Sequence, residues 1–207
     1  MFSTKKSKMK NLFKTILILV AVFTINACNN DKKASEKTIK IDTKEALLLV
    51  IDNQKAGQFA IGKKIPLNLK ENVLIENKTR NKTEEGTTFT EKYTSVSKNG
   101  TILLNTMLSE EGLITEITVV SNQFKTAKNI GVQNTIEEFT KAYPNYNIWY
   151  SYVGNIFVIE SSTLKAQFLL HKDDFKGDSK KLYSSDLVQL KPSDFKTNAK
   201  IISVRII

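Results

Sequence analysis

Of the 207 residues in this chain, few have side chains suited to covalent chemistry. There is one cysteine, Cys28, and one histidine, His171. A Ser-His-Asp or Cys-His site needs a histidine beside a positioned nucleophile. No Gly-x-Ser-x-Gly turn is present, and alternation along its segment puts His171 on an outward face. It therefore reads as a solvent-facing residue at a strand end. Zinc needs several His or Cys ligands, and the sequence after Cys28 has one histidine. Asp173, Asp174 and Asp178 surround Gly177, but their spacing is not that of a calcium-binding EF-hand loop. Glu110-Glu111 and Glu137-Glu138 are paired only in sequence, whereas acid–base catalysis needs carboxylates facing across a cleft. The expectation is no catalytic set, no metal and no cofactor.

Recognition is better provided for. Tyr143, Tyr146, Trp149, Tyr150 and Tyr152 fall within ten residues and include the only tryptophan. On a strand, Tyr146, Ile148, Tyr150 and Tyr152 share one face, and Trp149 and Val153 take the other. One face must join the core. The other would be free to meet a protein partner or a glycan. Alternatively both faces are covered and the rings pair across strands. Tyr146, Trp149, Tyr150 and Tyr152 are the candidate binding surface.

Cys28 points to a different chemistry. Lys5, Lys6, Lys8 and Lys10 precede an apolar run from about Thr15 to Ile25, and Asn26-Ala27-Cys28 follows. That is the layout of a bacterial lipoprotein signal peptide, with Ile25 where leucine is usual. The run is shorter than the roughly twenty residues of a spanning helix. An ordinary cleaved signal peptide is the alternative. A lone cysteine forms no internal disulfide, and acylation gives it a use. The expected organisation is a signal peptide over 1–27, a lipidated Cys28 opening a flexible tether over 28–42, and one globular domain over 43–207. The expected partners are a membrane, through lipid on Cys28, and an envelope protein. Asn29, rather than aspartate, after Cys28 favours the outer membrane, on its periplasmic face.

Charge agrees with that address. The chain carries +10, but residues 1–27 hold five lysines and no acid, leaving about +5 after cleavage. The basic residues are spread out and form no arginine-rich helix, so nucleic acid is not an expected partner. Only three prolines and eight glycines argue for a folded chain.

The elements that must position these residues are mostly strands. Residues 43–54 fit a helix or a buried strand at Leu47–Ile51. Short strands are expected at Phe59–Ile61 and Val73–Ile75, and a longer one at Thr87–Ser97. Asn99-Gly100 is a hairpin turn into Thr101–Leu108, with Ile102, Leu104 and Leu108 on one face. After a turn at 109–112, Leu113, Ile117 and Val119 alternate against Ile114, Glu116 and Thr118. One helix is clear: Asn134 or Thr135 caps it, Glu137 or Glu138 completes a capping box, and Ile136, Phe139 and Tyr143 share a face up to Pro144. Strands at Tyr146–Val153, Ile156–Glu160 and Leu164–His171 follow, then a looser stretch over 172–197. Lys200–Ile207, apolar on both faces, reads as an internal strand. The fold class is α+β, β-rich, with antiparallel meanders and one helix. Ile61-Gly62 and Ile130-Gly131 each open a set of strands, suggesting a divergent duplication of a Gly-turn and β-meander unit, with halves 57–122 and 129–207.

Ile130-Gly131, Thr135-Ile136-Glu137-Glu138-Phe139, Leu164-Lys165-Ala166-Gln167-Phe168 and Leu190-Lys191-Pro192-Ser193-Asp194, with the terminal strand, resemble small envelope lipoproteins. The resemblance is to the uncharacterised family that includes the sigma-E-regulated enterobacterial lipoprotein, over roughly residues 110–207. It implies an outer-membrane address and no assigned activity, so no functional residues carry over. The order of Gly turn, helix and meander is also similar to the β-lactamase-inhibitor-like modules of outer-membrane assembly lipoproteins, in architecture only. The expected function is a lipid-anchored, non-enzymatic binding or assembly module of the cell envelope. The alternatives are a carrier of a small hydrophobic ligand, and a hydrolase of envelope glycans or peptides drawing on Glu160, Asp173 or Asp174.

Overall fold

Alternating apolar and polar side chains make about half of the described residues strand, with one α-helix among them. The computed structural model describes residues 49–69, 72–84 and 87–207. Cys28, the signal peptide and the tether lie outside the described residues. So does the first part of the ambiguous 43–54 segment, whose remainder is strand.

The described strands are β1 (Val50–Asp52), β2 (Lys55–Ala56), β3 (Phe59–Ala60), β4 (Val73–Glu84), β5 (Thr87–Lys98), β6 (Thr101–Leu108), β7 (Ile114–Val119), β8 (Lys125–Thr126), β9 (Tyr146–Ser151), β10 (Ile156–Ser161), β11 (Leu164–Leu170), β12 (Leu187–Leu190) and β13 (Ile201–Ile206). The helix α1 spans Ile136–Ala142. Nine strands form an antiparallel sheet in the order β12-β9-β10-β11-β13-β7-β6-β5-β4. A small second sheet has the order β3-β2-β1-β8, with β1 and β8 parallel. The fold is α+β and β-rich. The terminal strand is internal as expected, lying between β11 and β7 and joining the two meanders.

Alternation alone misplaces several side chains. It grouped Ile102 with Leu104 and Leu108, but Leu104 is buried while Ile102, on the other face, is 44% exposed. It set Ile114 apart from Ile117 and Val119, but all three are buried. The cause is a pair of register shifts, at Val96/Ser97 and at Met107/Leu108. An extra residue reverses which face the following side chains take. Asn99 and Gly100, at φ 51° and 76°, make the expected left-handed hairpin turn.

Two strands exceed expectation. β4 does not stop at Ile75 but runs twelve residues through polar sequence to Glu84, in unbroken register with β5. Cross-strand side chains hold it: Thr94 donates to Asn77 at 2.9 Å, Thr90 to Asn81 at 3.3 Å, and Arg80 pairs with Glu91. β5 meets β6 only over Thr94–Lys98, so the rest of this ribbon stands beyond the sheet. β12 forms inside the loose 172–197 stretch and closes the sheet against β9.

Thr135 caps α1 with its hydroxyl on the Glu138 amide, and Glu138 returns the bond to the Thr135 amide at 2.7 Å. Ile136, Phe139 and Tyr143 point into the core, where the Phe139 ring meets Phe168 edge-on at 4.8 Å. The two Ile-Gly pairs do different jobs. Gly62 has φ 73°, whereas Gly131 allows a close approach: a Cβ there would lie 2.2 Å from the Phe124 carbonyl oxygen. The pairs therefore do not by themselves mark a repeat.

Candidate functional site

The two faces of the nine-stranded sheet differ sharply. Val96, Leu104, Val119, Val204, Phe168, Ile159 and Ile148 are registered neighbours on successive strands, and all are buried. This row faces the helix and forms the core. One residue along each strand, the opposite face carries Ser95, Asn105, Thr118, Arg205, Gln167, Glu160 and Asn147. These too are direct cross-strand partners, so seven polar side chains cross the sheet in one line. At a strand spacing of about 4.8 Å the line is roughly 29 Å long.

Several of its polar atoms lack partners. Ser95 Oγ, Asn105 Oδ1, Gln167 Oε1 and Arg205 Nε are shut off from solvent and make no hydrogen bond. Burying a polar group unpaired is costly, so four such atoms in one row call for a physical explanation. Thr118 differs: its hydroxyl donates to Glu116 Oε1 at 3.0 Å.

One end of the row opens into two hollows. The first, about 320 Å³, is lined by Asn145, Tyr146, Asn147 and Ser162 together with Glu160 and Ser161. The second, about 350 Å³, shares Glu160 and Ser161 and adds Lys165, Gln167 and Arg205. Amides, a carboxylate and two cationic groups converge there. Another hollow, of about 780 Å³, lies where the β4–β5 ribbon leaves the sheet, beside Lys78, Lys92, Tyr93 and Ser109.

The four aromatic residues singled out by sequence do not gather into one surface. Tyr150 is in the core at 6% exposure, its ring 4.6 Å from that of Phe157, and its hydroxyl donates to Asn155. Burial, with Tyr183 and Tyr152 nearby, pushes its phenol above the ordinary range. Trp149 is half-buried on the polar face, between Val158 and Gln189. Tyr146, 37% exposed, lines the first hollow. Tyr152, 51% exposed, lies beyond the other end of β9, its ring against Tyr183. Trp149 and Tyr146 therefore belong to the candidate site, and Tyr150 and Tyr152 do not.

The reactive candidates stay dispersed. His171 is exposed and caps a 3-10 turn, its Nδ1 accepting from the Asp173 amide. Asp174 pairs with Lys196, and Asp178 accepts from the Lys180 amide. Among the described residues no three His, Cys, Asp or Glu side chains gather to hold a metal. Glu160 lies in the polar row, while Asp173 and Asp174 follow the end of β11, which pairs three residues away at Phe157. Glu137 pairs with Lys141, and Glu138 is spent on the helix cap. The interface between sheet and helix, where an apolar carrier would hold its ligand, contains the packed rings of Phe139 and Phe168.

Asn147, Gln167 and Arg205 were not singled out by sequence. Each is simply the outward residue of an alternating strand, and only register brings them together.

No family model matches the chain, and no curated protein sequence does so either. Among solved structures it is similar to the crystal structure of the uncharacterized protein yfeY from Escherichia coli. The two are 12% identical, with a TM-score of 0.49, over 75% of this chain and 97% of that one. Among the described residues no helix is long and apolar enough to cross a membrane.

Proposed function

We propose that this chain is a non-enzymatic binding module of the bacterial cell envelope, tethered by lipid on Cys28, that recognises its ligand on the open face of the large sheet. The observation that carries the reading is the end of the registered polar row, where Asn147, Glu160, Gln167 and Arg205 line two adjoining hollows on the face turned away from the core. A few polar groups converging on a hollow are what fixes a small ligand in place. The lone cysteine after an apolar run supports the tether, and the sequence resemblance to envelope lipoproteins supports the outer-membrane address.

The test is a photo-crosslinking residue placed at 147, 149 or 150 of the full-length protein in intact cells. Positions 147 and 149 lie on the open face and should give adducts, whereas 150 is core and should not. Absence of adducts from both open-face positions would sink the reading.

A further inference from the structure

We infer that the paired hollows take a short, uncharged saccharide bearing hydroxyl and amide groups, an inference that rests on the open face being the binding surface. The argument is one of donors and acceptors. Glu160 stands where the hollows meet, and its carboxylate only accepts. Lys165 and Arg205, in the second hollow, only donate. Asn147 and Gln167 do both. An anionic ligand would pair with Arg205 while setting its charge against Glu160, and a cation would meet the reverse conflict. A hydroxyl both donates and accepts, so a ring of hydroxyls satisfies every wall at once.

Three further features fit a sugar. Tyr146 presents a partly exposed ring at the wall of the first hollow, and an aromatic face suits the C–H face of a pyranose. Gln167 and Arg205 line the second hollow, and their remaining side-chain donors are of the kind that a ligand hydroxyl or amide accepts from. Each hollow is near the lower end of the roughly 300–1,000 Å³ usual for small-ligand sites, and the two adjoin at Glu160. Two linked units would place one in each.

Trp149, the only tryptophan, lies on the same face two residues from Asn147 and supplies the signal. The full-length protein in detergent micelles is titrated with N-acetylglucosamine and with its β-1,4-linked dimer, following Trp149 emission. The expected result is a saturable change, with the dimer binding at least about tenfold more tightly than the monomer. Asn147→Ala, at an exposed position that tolerates truncation, and Arg205→Lys should each weaken the dimer at least about fivefold. Dialanine, a zwitterion able to meet Glu160 and Arg205 with opposite charges, should not displace the sugar. No saturable change, equal affinity for monomer and dimer, or displacement by dialanine would each overturn the assignment. If the sugar fails while crosslinks from positions 147 and 149 persist in cells, the ligand class is wrong and the binding face stands. If those crosslinks are absent as well, the face itself is wrong.

Discussion

Gly131 shows how one residue can be fixed by its surroundings rather than by its own backbone. Its φ is not left-handed, so any residue could adopt the conformation, yet a Cβ would sit 2.2 Å from the Phe124 carbonyl oxygen. The obstacle is backbone, which cannot swing aside as a side-chain tip would. The neighbourhood is also tied down: the Gly131 amide donates to Asn134 Oδ1 at 3.0 Å, and Lys125 Nζ donates to the same oxygen at 2.6 Å. Burial holds the Lys125 ammonium below its ordinary pKa, with Glu138 pulling the other way. Gly131→Ala must therefore displace β8 or the loop entering α1, at a cost of about 2 kcal/mol. Urea unfolding of this variant should show a lower midpoint with an unchanged slope. A midpoint equal to that of the parent would mean that the loop yields freely.

Among the elements, α1 is the most legible and the outer part of β4, beyond Ile75, the least. The helix announces itself by a capping box and the Ile136–Phe139–Tyr143 stripe; of the alternatives at each box position, Thr135 and Glu138 take the roles, and the stripe is buried as read. Its cap carries a pH dependence. The Thr135 amide, then Asn134, hold the Glu138 carboxyl below its ordinary pKa. A carboxyl that ionises more readily folded than unfolded adds stability above its unfolded pKa, and that stability is lost as pH falls through the folded value. Glu138→Gln, which keeps a side chain able to reach the Thr135 amide but removes the charge, should lower the urea midpoint at neutral pH, with the difference from the parent narrowing in acid below the ordinary glutamate range. A difference constant with pH would rule out the charged cap. The outer part of β4 gives no such signal, because beyond β6 both faces of the ribbon are solvated and no apolar periodicity is required. Polar rungs hold it instead, among them Arg80 and Glu91, with the Arg80 guanidinium also over the Tyr93 ring. Arg80→Ala should speed amide exchange over 79–92 by a few fold, since an exposed pair contributes about 0.2–1 kcal/mol, and leave Val96 protected. Uniform exchange changes across β5 would argue against local opening. The polar row was hidden for a related reason. Each strand shows its outward residue, but which residues face one another depends on turns and bulges such as those at Val96/Ser97 and Met107/Leu108.

At the scale of the molecule, β13 is the strand that unites the large sheet. β4–β7 and β9–β11 are each local meanders, and no strand of one pairs with a strand of the other except through β13. Val204 pairs with Val119 on one side and Phe168 on the other, and Arg205 likewise with Thr118 and Gln167. The same strand thus completes the apolar row of the core and the polar row of the open face. Ile201, Val204 and Ile206 are all buried, so losing them removes apolar burial and leaves two unpaired inner edges. A chain ending at Lys200 should therefore lose its single cooperative unfolding transition and expose apolar surface to a hydrophobic dye. Retention of one sharp transition would show that the two meanders dock without β13. Val204→Ala separates the contributions, because it keeps the ladder bonds and removes only side-chain contacts. A cavity in a closed core costs about 1–3 kcal/mol for a truncation of this size, so this variant should unfold cooperatively at a lower urea midpoint and still present the polar row. If the binding face depends on register rather than on core packing, saccharide affinity in Val204→Ala should match the parent while stability falls.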